Sequence, residues 1–255
     1  IGVAPELLRR TDEYARRFPK AADRLKSRHA DMPYRRFCAL VSARLAATEQ
    51  DKREGFDDAE EFLADLRLVE ASLQGHRGEH AGAFAVRRLR RRAQAFGFHL
   101  ATLDLRQEST QHDLALAALL GDEAWPSRPW PERAGRLREL IAGTAPASAP
   151  DATEAVSVLD VFRTVADAQG RYGSRAFGPY IISMSRSAAD ALAVIALARI
   201  AGCTDRSGAV PLDVAPLFET VDDLQAAADT LRSLFADPVY REHLRGRGDR
   251  QVVML

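Results

Sequence analysis

Cysteine is almost absent from the sequence: Cys38 and Cys203 are the only two among 255 residues. They lie in separate apolar, helix-like stretches and lack the short spacing of metal-binding cysteines. The sequence therefore predicts no thiolate metal site. Such sparse use of cysteine favours a reducing compartment, which we take to be the cytoplasm.

An excess of charge and long apolar runs are missing as well. Lys and Arg together number 36, as do Asp and Glu, so the formal net charge is zero. A chain without net charge has no global field to attract nucleic acid or an anionic membrane. No run of 18 apolar residues exists, and the N-terminus lacks a signal-peptide pattern. We expect neither nucleic acid nor a membrane as a partner.

A starting methionine is also lacking, since the chain begins at Ile1. At its other end the apolar run QVVML reads as a strand that has just begun. We therefore expect an internal fragment of a longer protein. The content of 46% hydrophobic and 28% charged residues is ordinary for a globular protein with a sizeable core.

Residues 1–96 carry a helical pattern in which apolar residues recur at spacings of three and four. The stretches that carry it are PELLRRTDEYARRF, PYRRFCALVSARLAATEQ, DDAEEFLADLRLVEASLQ and HAGAFAVRRLRRRAQAFG. Pro19, Pro33, Gly55 and the glycines at 75 and 78 are the expected breaks. We predict an N-terminal helical region over residues 1–96.

Residues 97–255 alternate short apolar strands with helices. The strand stretches are FHLATLDLRQES, PYIISMSR and PLDVAPLFE, and QVVML would begin a fourth. Strands followed by helices in this way predict parallel pairing through right-handed crossovers. We predict an α/β fold, mostly helical, with about four strands over 97–255 and a truncation at the C-terminus.

Each of the three strand–helix units carries a hydroxyl residue followed three positions later by an aspartate. In a capping box the hydroxyl accepts from a helix amide, while the acidic side chain reaches back to the backbone of the cap. The predicted pairs are Thr110 with Asp113, Ser187 with Asp190, and Thr220 with Asp223.

Polar residues stand between each strand and its helix, where parallel α/β folds bind ligands. Arg106 follows the first strand and Glu219 the third, and a guanidinium beside a carboxylate suits an anionic substrate with a divalent cation. A structural ion pair at the end of the sheet is the alternative. The other residues at these positions are Gln107, Glu108, Ser185 and Arg186.

Three stretches resemble the phosphoenolpyruvate carboxylase family in its bacterial form. LATLDLRQEST resembles the family motif RIDIRQEST, YIISMSRSAADALAV is similar to a YVISM segment, and VAPLFETVDDL resembles its VPLFET region. The motifs occur in the family order. The helix MPYRRFCALVSARL is similar to one in the family's helical part.

The resemblance implies a mostly helical protein around a (β/α)8 barrel, of which residues 97–255 would form part. It implies addition of bicarbonate to phosphoenolpyruvate, giving oxaloacetate and phosphate, with Mg²⁺ or Mn²⁺ and in a homotetrameric parent enzyme. It further implies that Arg106 binds the substrate phosphate and that Glu219 is a metal ligand.

The family's catalytic histidine belongs to a TAHPTE motif, and its catalytic lysine and second metal carboxylate to GYSDSxKD. Neither motif occurs in the 255 residues. We therefore assign no catalytic residue within the chain and expect it to be inactive on its own. A non-catalytic α/β scaffold or degenerate homologue, used in assembly, remains the alternative function.

Two other patterns have competing interpretations. HRGEH at 76–80 matches a zinc-peptidase pattern that requires a single helical face, but Gly75 and Gly78 favour a loop. RRLRRR at 87–92 could contact nucleic acid or a phosphate, although the apolar residues around it favour a basic outer face on an amphipathic helix.

Overall fold

A computed structural model describes residues 2–25, 29, 31–50, 52–143 and 153–255. They form two compact units, one comprising 1–101 with 171–175 and the other 102–170 with 176–255. The N-terminal stretch of the first unit ends at Ala101, whereas the sequence predicts that the helical region ends at residue 96. None of the helices in these described ranges has the length and hydropathy needed to span a bilayer.

The first unit is helical. Its helices are α1 (Pro5–Arg17), α2 (Pro19–Asp23), α3 (Pro33–Glu49), α4 (Ala59–Gly75) and α5 (Phe84–Phe96). Proline opens the first three of them, a position where its missing N–H costs no hydrogen bond. The apolar faces meet in one core, where the rings of Tyr14 and Phe37 stack with centroids 5.9 Å apart.

A charged network crosses this helical core. Asp65 is fully buried on α4 and accepts hydrogen bonds from the Tyr14 hydroxyl at 2.7 Å and from Arg10 at 3.2 Å. The buried Arg44 donates to the same Tyr14 oxygen at 2.6 Å. Burial raises the pKa of Asp65 above its usual range, opposed by the hydrogen bond from Tyr14 and the charges of Arg10 and Arg44. Desolvation therefore disfavours the charged form of Asp65, and the hydrogen bond and positive charges around it stabilise that form.

We predict that Asp65→Ala lowers the free energy of unfolding by about 3 kcal/mol, because it removes the acceptor of the buried Tyr14 hydroxyl and the buried carboxylate that pairs with Arg10. Glu13→Ala is the matched control, since Glu13 pairs with the same Arg10 at 3.5 Å but is 58% exposed. Its effect should stay within about 0.5 kcal/mol. Urea unfolding at pH 7 measures both, and equal effects would contradict the proposed dependence on the buried network.

The second unit contains a parallel three-stranded sheet in the order β1-β2-β3. The strands are β1 (Leu103–Glu108), β2 (Phe177–Ser183) and β3 (Val214–Pro216). Arg106 lies beside Ile181, and Ile181 lies beside Ala215. Parallel strands in this order place all their carboxyl ends at the same edge.

The helices of the second unit are α6 (Ser109–Leu120), α7 (Trp130–Ala142), α8 (Thr153–Tyr172), α9 (Ala188–Ile200), α10 (Val221–Ala236) and α11 (Pro238–Gly246). The last residues of α8, 171 and 172, count with the first unit. Helix α9 is apolar around most of its circumference and buried from Ala188 to Ala198. A helix without a polar face belongs in the centre of a core.

The two faces of the sheet differ because successive side chains of a strand point in opposite directions. Tyr180, Ile182 and Val214 enter the main core together with side chains from the helices. Ile181 and Ala215 point to the other face, where they form a small apolar cluster with Leu217 and the partly buried Val252. Arg106 shares this second face through its register with Ile181.

The predicted alternation of strands and helices is confirmed, whereas two details of it are wrong. The run QVVML forms only one isolated bridge, between Leu217 and Met254, so the described residues contain three strands. Leu100 lies in a turn with a positive φ of 66° and not in the first strand. A barrel is not established by this three-stranded sheet.

The capping predictions hold at two helices and fail at the third. Asp190 accepts from the amides of Arg186 and Ser187 at 2.7 and 2.8 Å. Thr220 and Asp223 form the predicted reciprocal pair at the start of α10.

The pair Thr110 and Asp113 does not form a capping box, because α6 already begins at Ser109. Asp113 instead forms an ion pair with Arg133 and accepts from the Trp125 ring nitrogen at 3.3 Å. Burial raises the pKa of Asp113, with Arg133 acting against the rise. The partly buried carboxylate thus neutralises a largely buried arginine and does not cap its own helix.

Candidate functional site

Three polar side chains meet at the carboxyl ends of the strands, and we call them the Arg106 cluster: Arg106, Ser183 and Glu219. Arg106 lies near the end of β1 and Ser183 is the last residue of β2. Glu219 lies between β3 and the Thr220 cap of α10. Strand alternation turns the first two toward the face away from the helices, and the short link to α10 brings the third beside them.

The guanidinium of Arg106 joins the cluster. Its Nε donates to the Ser183 hydroxyl at 2.7 Å, and its Nη2 donates to Glu219 Oε1 at 3.2 Å. The Arg106 side chain is 52% exposed and that of Glu219 is 35% exposed. A ligand approaching this edge of the sheet can therefore reach both charges.

The sequence predicts that Arg106 and Glu219 share this edge without an exclusive ion pair. They do share it, and they do form an ion pair, in which Arg106 also keeps its bond to Ser183. An ion pair this exposed contributes at most about 1 kcal/mol to stability. Stability alone therefore gives a weak reason for placing these two charges here.

Sequence reasoning missed Ser183. The strand itself was predicted, and Ser183 is two residues beyond Ile181, the register partner of Arg106. Period-two alternation would therefore have placed its hydroxyl on the same face as Arg106. What the sequence lacks is the register between β1 and β2, which is needed to see that the two side chains meet.

The other strand-end residues that the sequence predicts do not join the Arg106 cluster. Glu108 and Arg186 are exposed, whereas Ser185 is buried and its hydroxyl has no hydrogen-bond partner among the described residues. Gln107 points to the helix-covered face, where its Oε1 accepts from the Tyr180 hydroxyl. Of the strand-end residues that the sequence predicts, the Arg106 cluster therefore contains only Arg106 and Glu219.

The turn that follows β2 has an unusual backbone. Met184 adopts a φ of +55°, a left-handed conformation that is uncommon for residues other than glycine. The Ser109 hydroxyl at the start of α6 donates to the Met184 carbonyl at 2.8 Å and ties the turn to the end of β1. Positive-φ residues held by neighbouring contacts occur often at functional sites.

The model of the family described as phosphoenolpyruvate carboxylase matches residues 1–255. The chain belongs to the phosphoenolpyruvate carboxylase family. This confirms the family expectation that the three motifs generate.

Curated relatives carry the same family description. The phosphoenolpyruvate carboxylase of Xanthomonas campestris pv. campestris (strain 8004) is 48% identical over 255 residues, covering 100% of this chain. That of Rhodopseudomonas palustris (strain ATCC BAA-98 / CGA009) is 36% identical over 245 residues, covering 88% of this chain. The chain spans 28% and 26% of these relatives' lengths, respectively.

Behind the Arg106 cluster, the structure contains a buried series of hydrogen bonds. His112 of α6 lies 2.8 Å from the Tyr180 hydroxyl through its Nε2, and Tyr180 donates to Gln107. Since the hydroxyl proton goes to Gln107, Nε2 of His112 is the donor to Tyr180. These hydrogen bonds link α6, β2 and β1 next to Arg106.

Burial lowers the pKa of His112 to about 4 and raises that of Tyr180 well above its usual value. Both groups are therefore neutral at pH 7. His112 Nδ1 is buried without a hydrogen-bond partner among the described residues, so a proton added there would be unpaired. This favours a structural use of His112 in which its neutral form is required.

We predict that stability falls with acid partly because of His112. The unfolded imidazole binds a proton below about pH 6.5, whereas the folded one resists protonation down to about pH 4, so stability is full above 6.5 and is lost below it. At pH 5 the loss from this one group amounts to about 2 kcal/mol relative to pH 7.

Replacement of His112 by Gln tests this, because an amide can still donate to Tyr180 but does not titrate. The drop in unfolding free energy between pH 7 and pH 5, from urea titrations, should shrink by about 2 kcal/mol. His243 supplies the control, since its pKa is also lowered to about 4 by burial. His112→Gln should leave that second contribution in place, and an unchanged pH dependence would refute the assignment.

The HRGEH pattern lacks the helical geometry that the zinc-peptidase motif requires. Helix α4 ends at Gly75, and His80 lies in an irregular turn that also contains Gly82 with a φ of +102°. His76 hydrogen-bonds through Nδ1 to the Ser72 carbonyl at 2.8 Å. The two histidines therefore lack a common helical face. No group of three or more potential metal ligands of the His, Cys, Asp or Glu type occurs in the described residues.

The RRLRRR run lies on α5, as the amphipathic pattern predicts. Arg87 and Arg90 both donate to Glu70 of α4, at 2.8 and 2.7 Å. These hydrogen bonds, led by that of Arg87, lower the pKa of Glu70. Part of the run thus joins two helices of the first unit, which supports the interpretation as a basic outer helix face.

Proposed function

We propose that this chain is part of an enzyme that adds bicarbonate to phosphoenolpyruvate, giving oxaloacetate and phosphate. The carrying observation is that the Arg106 cluster joins a cation and a carboxylate at the strand ends in a chain of this family. We further propose that the three strands belong to a (β/α)8 barrel and that the parent enzyme is a cytoplasmic homotetramer.

Arg106 would bind the phosphate of phosphoenolpyruvate. Its planar guanidinium can donate two parallel hydrogen bonds to two oxygens of one phosphate group. Half of its side chain is exposed, which supports access for a small anion. The residue would orient the substrate and offset its negative charge.

Glu219 would hold a divalent cation, Mg²⁺ or Mn²⁺. A carboxylate beside the binding site of an anion repels that anion unless a cation lies between them, and a hard cation takes oxygen ligands. Glu219 is exposed, and among the described residues its side chain bonds only to Arg106. Its carboxylate oxygens can therefore serve as one of the oxygen ligands of a divalent cation. When bound, the cation supplies Lewis-acid stabilisation of the enolate oxygen.

The chain offers one such carboxylate in the Arg106 cluster, and Mg²⁺ is often held by one or two carboxylates with several waters. The resemblance assigns the second ligand to the GYSDSxKD motif, which the 255 residues do not contain. The residues present therefore fit half of the expected protein ligand set.

A non-catalytic scaffold is the alternative function. It is favoured by the ion pair between Arg106 and Glu219, which satisfies both charges without any ligand. The alternative predicts that the parent gene has lost the TAHPTE or GYSDSxKD motif. Reading the flanking gene sequence separates the two proposals.

We predict that the purified 255-residue chain does not form oxaloacetate from phosphoenolpyruvate and bicarbonate. The histidine, lysine and second carboxylate that the resemblance assigns to catalysis are absent from it. A coupled assay for oxaloacetate, with the full-length parent as the positive control, makes the measurement. Bicarbonate-dependent turnover by the short chain would mean that those three groups are not required.

We predict different kinetic signatures for the two charged residues in the full-length parent. Glu219→Gln keeps the shape but removes a charged ligand, so the Mg²⁺ concentration for half-maximal rate should rise about tenfold or more, and kcat should fall. Arg106→Lys keeps the charge but loses the planar fork, so the KM for phosphoenolpyruvate should rise more than the Mg²⁺ requirement.

Two exposed residues outside the cluster serve as matched controls. Asp222→Asn removes a carboxylate three positions from Glu219, and Arg163→Lys makes the same change as Arg106→Lys on helix α8. Both should keep wild-type kinetics. If Glu219→Gln behaved like Asp222→Asn, Glu219 would be a structural residue at the sheet end and not a metal ligand.

A further inference from the structure

The two hydrogen bonds of Arg106 occupy one particular edge of its guanidinium. The group carries five N–H donors: one on Nε, two on Nη1 and two on Nη2. Nε donates to Ser183 and Nη2 to Glu219, and Nε with Nη2 forms the side edge of the planar group. The edge between Nη1 and Nη2 donates to no group among the described residues beyond the bond from Nη2 to Glu219. One whole fork of two parallel donors is therefore available.

We propose that Ser183 is a positioning residue that fixes Arg106 so that this second edge, Nη1 with Nη2, meets the phosphate of the substrate. The proposal rests on the proposed function and adds a residue to it. Ser183 would act through Arg106 and would need no contact with the reacting atoms. Its hydroxyl oxygen accepts from Nε, the donor nearest the aliphatic stem, and so sets the rotation of the whole planar group.

Ser183 is well suited to hold a long side chain in place. It ends β2, and its backbone pairs in register with Glu108 of β1. A serine side chain has a single heavy-atom rotor, so its oxygen is located by the strand itself. The following residue, Met184, is tied through its carbonyl to Ser109 at 2.8 Å. The hydroxyl is thus attached to backbone that is secured on both sides.

The contact to Ser183 differs in kind from the contact to Glu219. At 2.7 Å it is the shorter of the two, and the acceptor is uncharged. If Glu219 coordinates a divalent cation, the cation replaces its hydrogen bond from Nη2. The neutral Ser183 hydroxyl does not compete for the cation in this way, so its hydrogen bond from Nε is kept. Ser183 is therefore the partner that would keep Arg106 oriented while phosphoenolpyruvate is bound.

The test uses the full-length parent enzyme and compares three single variants. Ser183→Ala removes the acceptor and should raise the KM for phosphoenolpyruvate about tenfold, the effect of losing one hydrogen bond to a charged group, with kcat changed less than about twofold. Ser183→Thr keeps the hydroxyl and should restore most of the loss. Ser185→Ala deletes a hydroxyl two positions away that has no partner among the described residues, and it should leave KM unchanged.

A second background separates positioning from a general structural effect. Lysine has no Nε–H, so Ser183→Ala made in an Arg106→Lys enzyme should raise KM by less than about twofold, because the interaction that it removes is already gone. Should Ser183→Ala fail to fold, Ser183→Cys replaces it, since sulfur is only a weak acceptor. Thermal melting of each variant verifies folding.

The outcomes distinguish this inference from the proposed function. A wild-type parent without bicarbonate-dependent oxaloacetate formation would overturn both. An active parent in which Ser183→Ala leaves KM unchanged, or raises it equally in the Arg106→Lys background, would overturn the role of Ser183 alone. A rise in KM that Thr reverses and that disappears in the lysine background would establish it.

Discussion

The candidate site depends on the parallel pairing of three strands. Arg106 is 77 positions from Ser183 and 113 from Glu219 along the chain, yet all three side chains meet. Parallel strands end at one edge, and alternation turns Arg106 and Ser183 to one face, while the short link between β3 and α10 adds Glu219. The helices serve this arrangement by covering the opposite face and leaving this one polar at its end.

Stability and the site are carried by different parts of the molecule. The main core of the second unit surrounds α9, while the exposed pair of Arg106 and Glu219 adds little to stability. In the first unit a buried carboxylate, Asp65, ties helices together through Tyr14 and Arg10. Weakly bonded charges at the site are therefore compatible with a stable fold, because the cores of the two units supply the stability.

Much of the fold follows from local sequence signals, because helix periodicity, proline at helix starts and capping boxes act over a few residues. The strand-end location of Arg106 and Glu219 was predictable for the same reason. Asp113 was not, because its counterion Arg133 is 20 positions away and a buried cation outweighs a local cap. Ser183 and the single bridge at Met254 depend on strand register, and register is set by pairing across long separations.

The order of the sheet also has a consequence for how the protein is made. The strands lie side by side in the same sequence in which a ribosome would release them, β1 first and β3 last. Three helices, α6, α7 and α8, separate β1 from β2, so β1 must wait for that whole segment before it gains its first neighbour. Contacts between such distant residues form slowly because a long loop has to close. During synthesis Ser183 therefore becomes available to Arg106 before Glu219 does.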